Sequence, residues 1–181
     1  MKSIMLSIQP EWVEKILNKQ KIVELRKNIP KCDLPCKVYI YCTHGKMLYD
    51  LSRCDVLSVE NKVKQGKTKR FVRADVNSYN VIASSIPYLN GKVVAEFTLK
   101  ETEVIEKNQV YNAYVMKKCG CLSIQQVSDY TKGNRFFVWH IEDLIVYDKQ
   151  RSLGEFICRK KLKRPPQSWC YVEEVNNEKL C

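Results

Sequence analysis

Three ionisable residues, Lys21, Glu24 and Arg26, lie close together in a segment rich in β-branched residues. Residues 21–27 predict a strand, in which side chains two positions apart share a face, so Glu24 and Arg26 should lie side by side. A guanidinium grips an anion bidentately, and a carboxylate accepts from a base amino group or moves a proton. The pair therefore suits a phosphate or a nucleobase. From spacing alone, a surface ion pair of little energetic value is the more frequent outcome.

Further polar side chains are candidates for the same site. Lys21 is off strict alternation with Glu24, but its long side chain can reach the same face, where it would neutralise a phosphate or act as a base or nucleophile. A lysine beside a turn is otherwise simply solvated. Thr43 ends another predicted strand with a free hydroxyl, while Ser7 and Gln9 precede a predicted helix whose N–H groups favour an anion.

A second group of candidates follows two prolines, which stiffen the approach to Gln167, Ser168 and Trp169. Trp169 could stack on a base, although large aromatic residues more often belong to a core. His140 would be an acid or base in an RNA-cleaving enzyme, but a single histidine in a strand is more often a structural hydrogen-bonding residue. The sequence has no Ser/His/Asp grouping of diagnostic spacing, no P-loop and no dinucleotide fingerprint.

The charge balance favours a polyanionic partner. Among the 181 residues there are 31 Lys and Arg against 20 Asp and Glu, a formal net charge of +11. Each cation near a phosphate releases a condensed counterion, so a nucleic acid is the expected partner. Two basic runs, 62–73 and 159–164, are solvated faces or phosphate-binding arms. The residues expected to contact phosphate are Lys67, Lys69, Arg70, Arg73, Arg159, Lys160, Lys161, Lys163 and Arg164.

Composition also limits compartment and cofactors. No apolar run approaches the roughly 20 residues of a membrane span, and Pro10 interrupts the start too soon for a signal peptide, so we expect a cytoplasmic protein. Its nine cysteines should then be mostly free thiols. Cys32/Cys36 and Cys119/Cys121 resemble two halves of a zinc site, but the one-residue gap in the second pair fits poorly. We therefore expect neither a metal nor a cofactor; the oligomeric state is undetermined.

Short strands dominate the predicted secondary structure. Pro10 starts a helix carrying Trp12, Val13, Ile16 and Leu17, Ser123 caps a second, and Ser152 begins one helical turn ending near Ile157. The pattern indicates an α+β fold, namely a small, closed or nearly closed and mostly antiparallel β-barrel with two or three short helices at its edges. We expect one domain, 1–175, with a basic insertion at about 44–90 and a tail, 176–181. The predicted strands are residues 3–8, 21–27, 37–43, 56–59, 70–76, 92–99, 135–141, 144–147 and 169–174.

Five stretches together resemble the ASCH domain of the PUA-like superfamily, in the small stand-alone form of bacteria and their phages. Residues 19–26, KQKIVELR, are similar to the family signature G-x-K-x-x-E-x-R, with Lys19 in place of the glycine. If that position needs a positive φ, lysine adopts it at some cost, or the turn differs. The other stretches are LSIQPEWVEKIL (6–17), VYIYCT (38–43), GKVVAEF (91–97) and PPQSW (165–169).

The resemblance implies a cleft where Lys21, Glu24 and Arg26 gather. Related PUA-like domains bind RNA or modified bases, so the expected function is RNA binding, with a nucleotide or base in that cleft. Some ASCH proteins are ribonucleases and one small relative is an amidohydrolase of an acetylated cytidine. The alternative is therefore a metal-independent enzyme of either kind, with Lys21 and Glu24 as catalytic residues and Thr43 or His140 assisting. Fold does not decide between these activities.

Overall fold

The computed structural model describes residues 2–50, 71–74, 88–106, 120–158 and 160–175. Within these ranges the chain forms twelve strands and two helices, and a 3₁₀ turn at Leu153–Glu155 precedes β10. In chain order they are β1 Ser3–Ile8, α1 Pro10–Leu17, β2 Val23–Arg26, β3 Cys36–Cys42, β4 Met47–Asp50, β5 Phe71–Ala74, β6 Lys92–Leu99, β7 Thr102–Ile105, α2 Ile124–Thr131, β8 Phe136–His140, β9 Glu142–Arg151, β10 Phe156–Cys158, β11 Lys160–Lys161 and β12 Trp169–Glu174.

Seven strands form the main sheet, in the order β11-β10-β12-β1-β3-β6-β9. The first strand is central, because β1 pairs in parallel with β3 and antiparallel with β12, the last strand in the chain. The remaining pairs of this sheet are antiparallel. The C-terminal end of β1 therefore lies next to residues from both halves of the chain.

A second sheet, β2-β8-β7, packs over the first. Phe137 and Trp139 of β8 belong to the same buried cluster as Leu6, Val38 and other apolar residues of the main sheet. Glu24 lies opposite Trp139 in the register, and Arg26 lies opposite Phe137. The two charged side chains of β2 thus occupy the interior face of their sheet.

The expectation of a mixed α+β, mostly antiparallel fold is confirmed, but that of a closed barrel is not. The described strands leave the main sheet open at β9 and β11, and β2 hydrogen-bonds only to β8. A cavity lies between β1 and β2, where a closing ladder would have to run, and the Arg26 side chain crosses the gap to the Ser7 carbonyl oxygen. A side-chain hydrogen bond replaces backbone pairing at this point.

Local sequence signals explain both helices. Pro10 occupies the start of α1, whose buried face consists of Val13, Ile16 and Leu17, as predicted. Lys19 follows with φ of 57°, and its N–H donates to the Ile16 carbonyl in the turn that ends the helix. Lysine therefore adopts the left-handed conformation that the signature glycine would favour.

Helix α2 begins at the capping box predicted at Ser123. The Ser123 hydroxyl accepts from the Gln126 N–H, and the Gln126 side chain accepts from the Ser123 N–H. The helical turn at Ser152 is shorter than expected, since Phe156 already belongs to β10. Strand β9 is longer than expected, while the strand predicted at 56–59 lies outside the described residues. Neither helix has the length and apolarity that crossing a membrane requires, in the part of the chain described.

Candidate functional site

A cavity of about 520 Å³, here called the cleft, opens between the two sheets. Its floor is formed by Lys21, Glu24 and Arg26 at and just before β2. The end of β1, the start of α1, Thr43, one face of α2 and the segment after Pro165 supply its walls. The cleft thus assembles residues from five separate stretches of the chain.

Lys21 is almost fully enclosed. Its ammonium donates to the Gly120 carbonyl oxygen at 2.9 Å, and it lies 3.4 Å from Glu24 Oε2 and 5.4 Å from the centroid of the Trp12 ring. These partners satisfy the charge from three directions. The ammonium is therefore held in one place rather than solvated beside a turn.

Glu24 and Arg26 form the second half of the floor. Arg26 Nη2 lies 3.0 Å from Glu24 Oε1 and also donates to the Ser7 carbonyl at 3.0 Å. Arg26 Nη1 donates to the Ser168 hydroxyl at 3.2 Å. The guanidinium therefore ties β2 to β1 and to the segment before β12.

The three charges are buried and do not cancel. Exposure is only 2% for Lys21, 7% for Glu24 and 9% for Arg26, so two cations share one carboxylate and leave the cleft floor with a net charge of +1. Buried charges are costly unless their hydrogen bonds are complete. Arg26 Nε is buried with no hydrogen-bond partner among the described residues. An anion or a carbonyl oxygen entering the cleft would meet the excess positive charge of this floor.

Ser7, Ser168 and the backbone around them hold the cleft wall together. The Ser7 hydroxyl donates to the Pro166 carbonyl at 2.7 Å, and the Ser7 N–H donates to the Ser168 carbonyl at 2.9 Å. Both serines thus have structural partners in addition to any ligand. Gln167, which precedes Ser168 in the chain, is exposed and lines the cleft.

Thr43 and Gln9 also line the cleft, as the sequence predicted for a common site. Thr43 follows β3, and its carbonyl oxygen accepts from the Asn90 amide at 3.2 Å. Asn90 is buried, and its amide also donates to Lys46 while its oxygen accepts from Leu48. Asn90 therefore fixes the turn that carries Thr43.

Two predicted site residues lie elsewhere. His140 is at the end of β8, where Nε2 is 2.7 Å from Glu103 Oε1, and it does not line the cleft. Trp169 packs against Trp139 with ring centroids 6.1 Å apart and lines a different groove. Its neighbour Ser168 does not line the cleft either, but its hydroxyl contacts the cleft floor by accepting from Arg26 Nη1.

Only some of the predicted phosphate-contacting residues lie in the part of the chain that the structure describes. Arg73 Nε is 2.8 Å from Glu14 Oε2, which ties β5 to α1 instead of leaving the guanidinium free for phosphate. Lys160, Lys163 and Arg164 are exposed. Lys67, Lys69, Arg70 and Arg159, together with the side chain of Lys161, lie outside the described residues.

Two aromatic residues of the cleft were not predicted for it. Trp12, which the sequence places on the apolar stripe of α1, and Tyr130 of α2 both line the cleft. Burial raises the pKa of the Tyr130 phenol, with the nearby Arg26 charge opposing the shift. Gln126 and Asp129 share this face of α2, and the i, i+3, i+4 spacing of 126, 129 and 130 was the available signal.

The described cysteines of the possible zinc site do not form a metal-binding cluster with other described residues. Within them, no three His, Cys, Asp or Glu side chains cluster in a way that could hold a metal ion. Cys32, Cys36 and Cys121 are free thiols, while Cys119 of the possible zinc set lies outside the description. Burial raises the pKa of Cys36 to about 12, with the adjacent Cys32 adding to the shift.

The fold is similar to that of the ASCH protein of Zymomonas mobilis. Its crystal structure gives a TM-score of 0.58 at 19% identity over 98% of this chain and 90% of that chain. Two substituted forms give 0.57 and 0.56 at 18% identity, over 95% and 96% of this chain and 89% and 91% of theirs. No protein-family model and no curated protein matches the sequence. At these identities the likeness concerns the fold, and in that respect the resemblance predicted from the sequence is confirmed.

Proposed function

We propose that this chain, whose fold is that of the ASCH proteins, binds single-stranded RNA by taking one nucleotide into the cleft. One observation carries the proposal: the buried Lys21–Glu24–Arg26 cluster has excess positive charge at the floor of a cavity of about 520 Å³. A phosphate or a base carbonyl is attracted to this excess charge.

The cleft walls support a nucleotide rather than a bare anion. A nucleotide combines an acidic group with a flat ring, and the cleft combines a cationic floor with the indole of Trp12 and the phenol of Tyr130. Bases stack on aromatic side chains, and splayed single-stranded bases can enter a pocket that paired bases cannot reach. Exposed Lys160, Lys163 and Arg164 would then contact the backbone. We expect this function in the cytoplasm, in a single domain spanning residues 1–175.

The contacts favour binding over catalysis. A nucleophilic lysine needs an available lone pair, but the Lys21 ammonium donates to Gly120 and lies beside Glu24. Both oxygens of Glu24 already face cations, Lys21 on one side and Arg26 on the other. His140, the expected acid or base, lies outside the cleft lining. The ribonuclease and acetylcytidine amidohydrolase alternatives are therefore placed second.

The test compares matched arginine variants by fluorescence polarisation with labelled single-stranded RNA. Arg26→Lys keeps the charge but removes Nε and the forked geometry, and we expect binding to weaken by roughly ten-fold or more, since bidentate contacts contribute about 1–3 kcal/mol. Arg135→Ala removes an exposed arginine outside the cleft and should have little effect. Affinity should also fall steeply as salt rises. RNA binding that is absent, or that Arg26→Lys leaves intact, contradicts the proposal.

A second assay addresses the enzymatic alternative. The protein is incubated with end-labelled RNA and, separately, with acetylcytidine, and products are separated by electrophoresis and chromatography. We expect binding without turnover. Lys132→Ala, at an exposed lysine, serves as the control. Turnover that is lost in Lys21→Ala but retained in Lys132→Ala would favour the enzymatic alternative.

A further inference from the structure

A second groove, here called the edge groove, lies where β10 and β12 separate. These strands pair only through Phe156 with Glu174 and Ile157 with Glu173, so the rest of β12 has no partner on that side among the described strands. The resulting space is about 730 Å³, with Trp169 and Tyr171 among its lining residues. It is larger than the cleft.

The edge groove presents an ordered aromatic pair. The Trp169 and Tyr171 rings are 5.5 Å apart at 80°, and both are partly exposed. Trp169 packs against buried Trp139, and the Tyr171 hydroxyl accepts from the Lys31 N–H at 2.6 Å. Because both rings are held in place, stacking on them would cost little conformational entropy.

One short segment of the chain borders both the cleft and the edge groove. Gln167 lines the cleft, the Ser168 hydroxyl accepts from Arg26, and Trp169 lines the edge groove. Successive Cα atoms are about 3.8 Å apart, so the Cα atoms of Gln167 and Trp169 are no more than about 8 Å apart. An RNA strand leaving the cleft would therefore pass around this segment to reach the aromatic pair.

One cation and one carboxylate line the edge groove, and a second cation lies beside it. Lys2 is exposed, with Nζ 5.7 Å from the centroid of the Tyr171 ring, and Lys160 is exposed opposite Cys158 in the β10–β11 hairpin. Glu173 is the one acidic residue among the described residues that line the groove. Cations beside an aromatic face match a phosphate next to a stacked base.

We propose that the edge groove binds the nucleotide adjacent to the one in the cleft, so that the protein recognises a short single-stranded RNA segment rather than an isolated nucleotide. This inference rests on the proposed RNA-binding function. Duplex RNA is excluded as the occupant, because its stacked bases cannot lie against Trp169 and Tyr171.

The experiment measures binding of a labelled random-sequence RNA octamer and of the four nucleoside monophosphates. Tyr171→Leu removes the ring and should weaken octamer binding by roughly five-fold or more, because stacking contributes about 1–3 kcal/mol per base. Tyr171→Phe keeps the ring but loses the hydrogen bond from the Lys31 N–H, so it should bind the octamer more tightly than Tyr171→Leu and close to the parent. Tyr88→Leu, at a tyrosine 52% exposed outside the groove, serves as the matched control. Affinity for the monophosphates, which occupy the cleft alone, should be the same in all variants.

The outcomes separate this inference from the function on which it rests. Octamer binding that Arg26→Lys leaves unchanged overturns the cleft and the edge groove together. Octamer binding that Arg26→Lys weakens but Tyr171→Leu does not overturns the edge groove alone. A further variant, Lys2→Gln, covers the case in which Tyr171→Leu is unstable. It should lower the slope of log affinity against log salt by about one, and an unchanged slope counts against the groove.

Discussion

Replacing Glu24 with glutamine would remove the single negative charge of the cleft floor without changing the shape of the side chain. Its two oxygens lie 3.4 Å from Lys21 Nζ and 3.0 Å from Arg26 Nη2, and all three side chains are at least nine-tenths buried. Removing one partner of a buried ion pair costs about 3–5 kcal/mol. Because glutamine retains one acceptor oxygen, we expect the lower end of this range, a loss of about 3 kcal/mol in the free energy of unfolding.

In a domain of this size, about 3 kcal/mol lowers the thermal midpoint by roughly 6–12 °C. The matched control is Glu142→Gln, because Glu142 pairs at 2.9 Å with the exposed Lys100. A surface ion pair contributes little to stability, so this variant should melt near the parent temperature. The assay is thermal unfolding by circular dichroism in chloride buffer.

A second arm adds inorganic phosphate at matched ionic strength. The variant floor carries two positive charges where the parent floor carries a net charge of one, so phosphate should raise the thermal midpoint more for Glu24→Gln than for the parent. If the free energy of unfolding of Glu24→Gln is within about 1 kcal/mol of the parent's, the reasoning from buried, uncompensated charge is refuted. Equal responses to phosphate would show that the floor does not attract anions.

Two further predictions concern the surroundings of the cleft. Lys19→Gly should raise the free energy of unfolding, measured in urea, by about 0.5–1 kcal/mol. Glycine relieves the strain of the left-handed conformation, and this gain exceeds the entropic cost of ordering a glycine. Lys19→Ala keeps the strain and should not raise the free energy of unfolding. Arg151 holds the pKa of Glu174 below its usual value of 4.5, so this pair stabilises the fold above that pH and ceases to do so as the pH falls through the lowered pKa. The stability difference between the parent and Arg151→Gln should accordingly be larger at pH 7 than at pH 3, and a difference that does not change with pH would contradict the assignment.

The sequence predicted the residue types of the cleft better than their burial. Alternation correctly placed Glu24 and Arg26 on one face and Val23 and Leu25 on the other. A strand with one charged face is normally exposed on that face, but β2 is covered on both sides. The apolar face packs with Ile105 and Val138, and the charged face lies against the main sheet. The burial of the charged face follows from the packing of the two sheets, and the local sequence pattern of β2 does not encode it.

Other differences have similar causes. Strands β4, β7, β10 and β11 are four residues long or shorter, and alternation over so short a segment is a weak signal, although it sufficed for β2. Trp169 could not be assigned to a groove, because its orientation depends on the register of β12 against β1. Trp12 has the spacing of a core residue on α1, and its edge is exposed to the cleft only because β1 ends beside it.

The central position of β1 has a consequence for how the molecule is made. Its neighbour β12 comes from the far end of the described chain, and the contacts that shape the cleft span 159 residues from Ser7 to Pro166 and 142 from Arg26 to Ser168. Contacts so distant in sequence form slowly, and a chain still emerging from the ribosome cannot make them. The cleft is therefore among the last features to appear during synthesis, and a product truncated before β12 would carry the charged trio without a pocket to hold it.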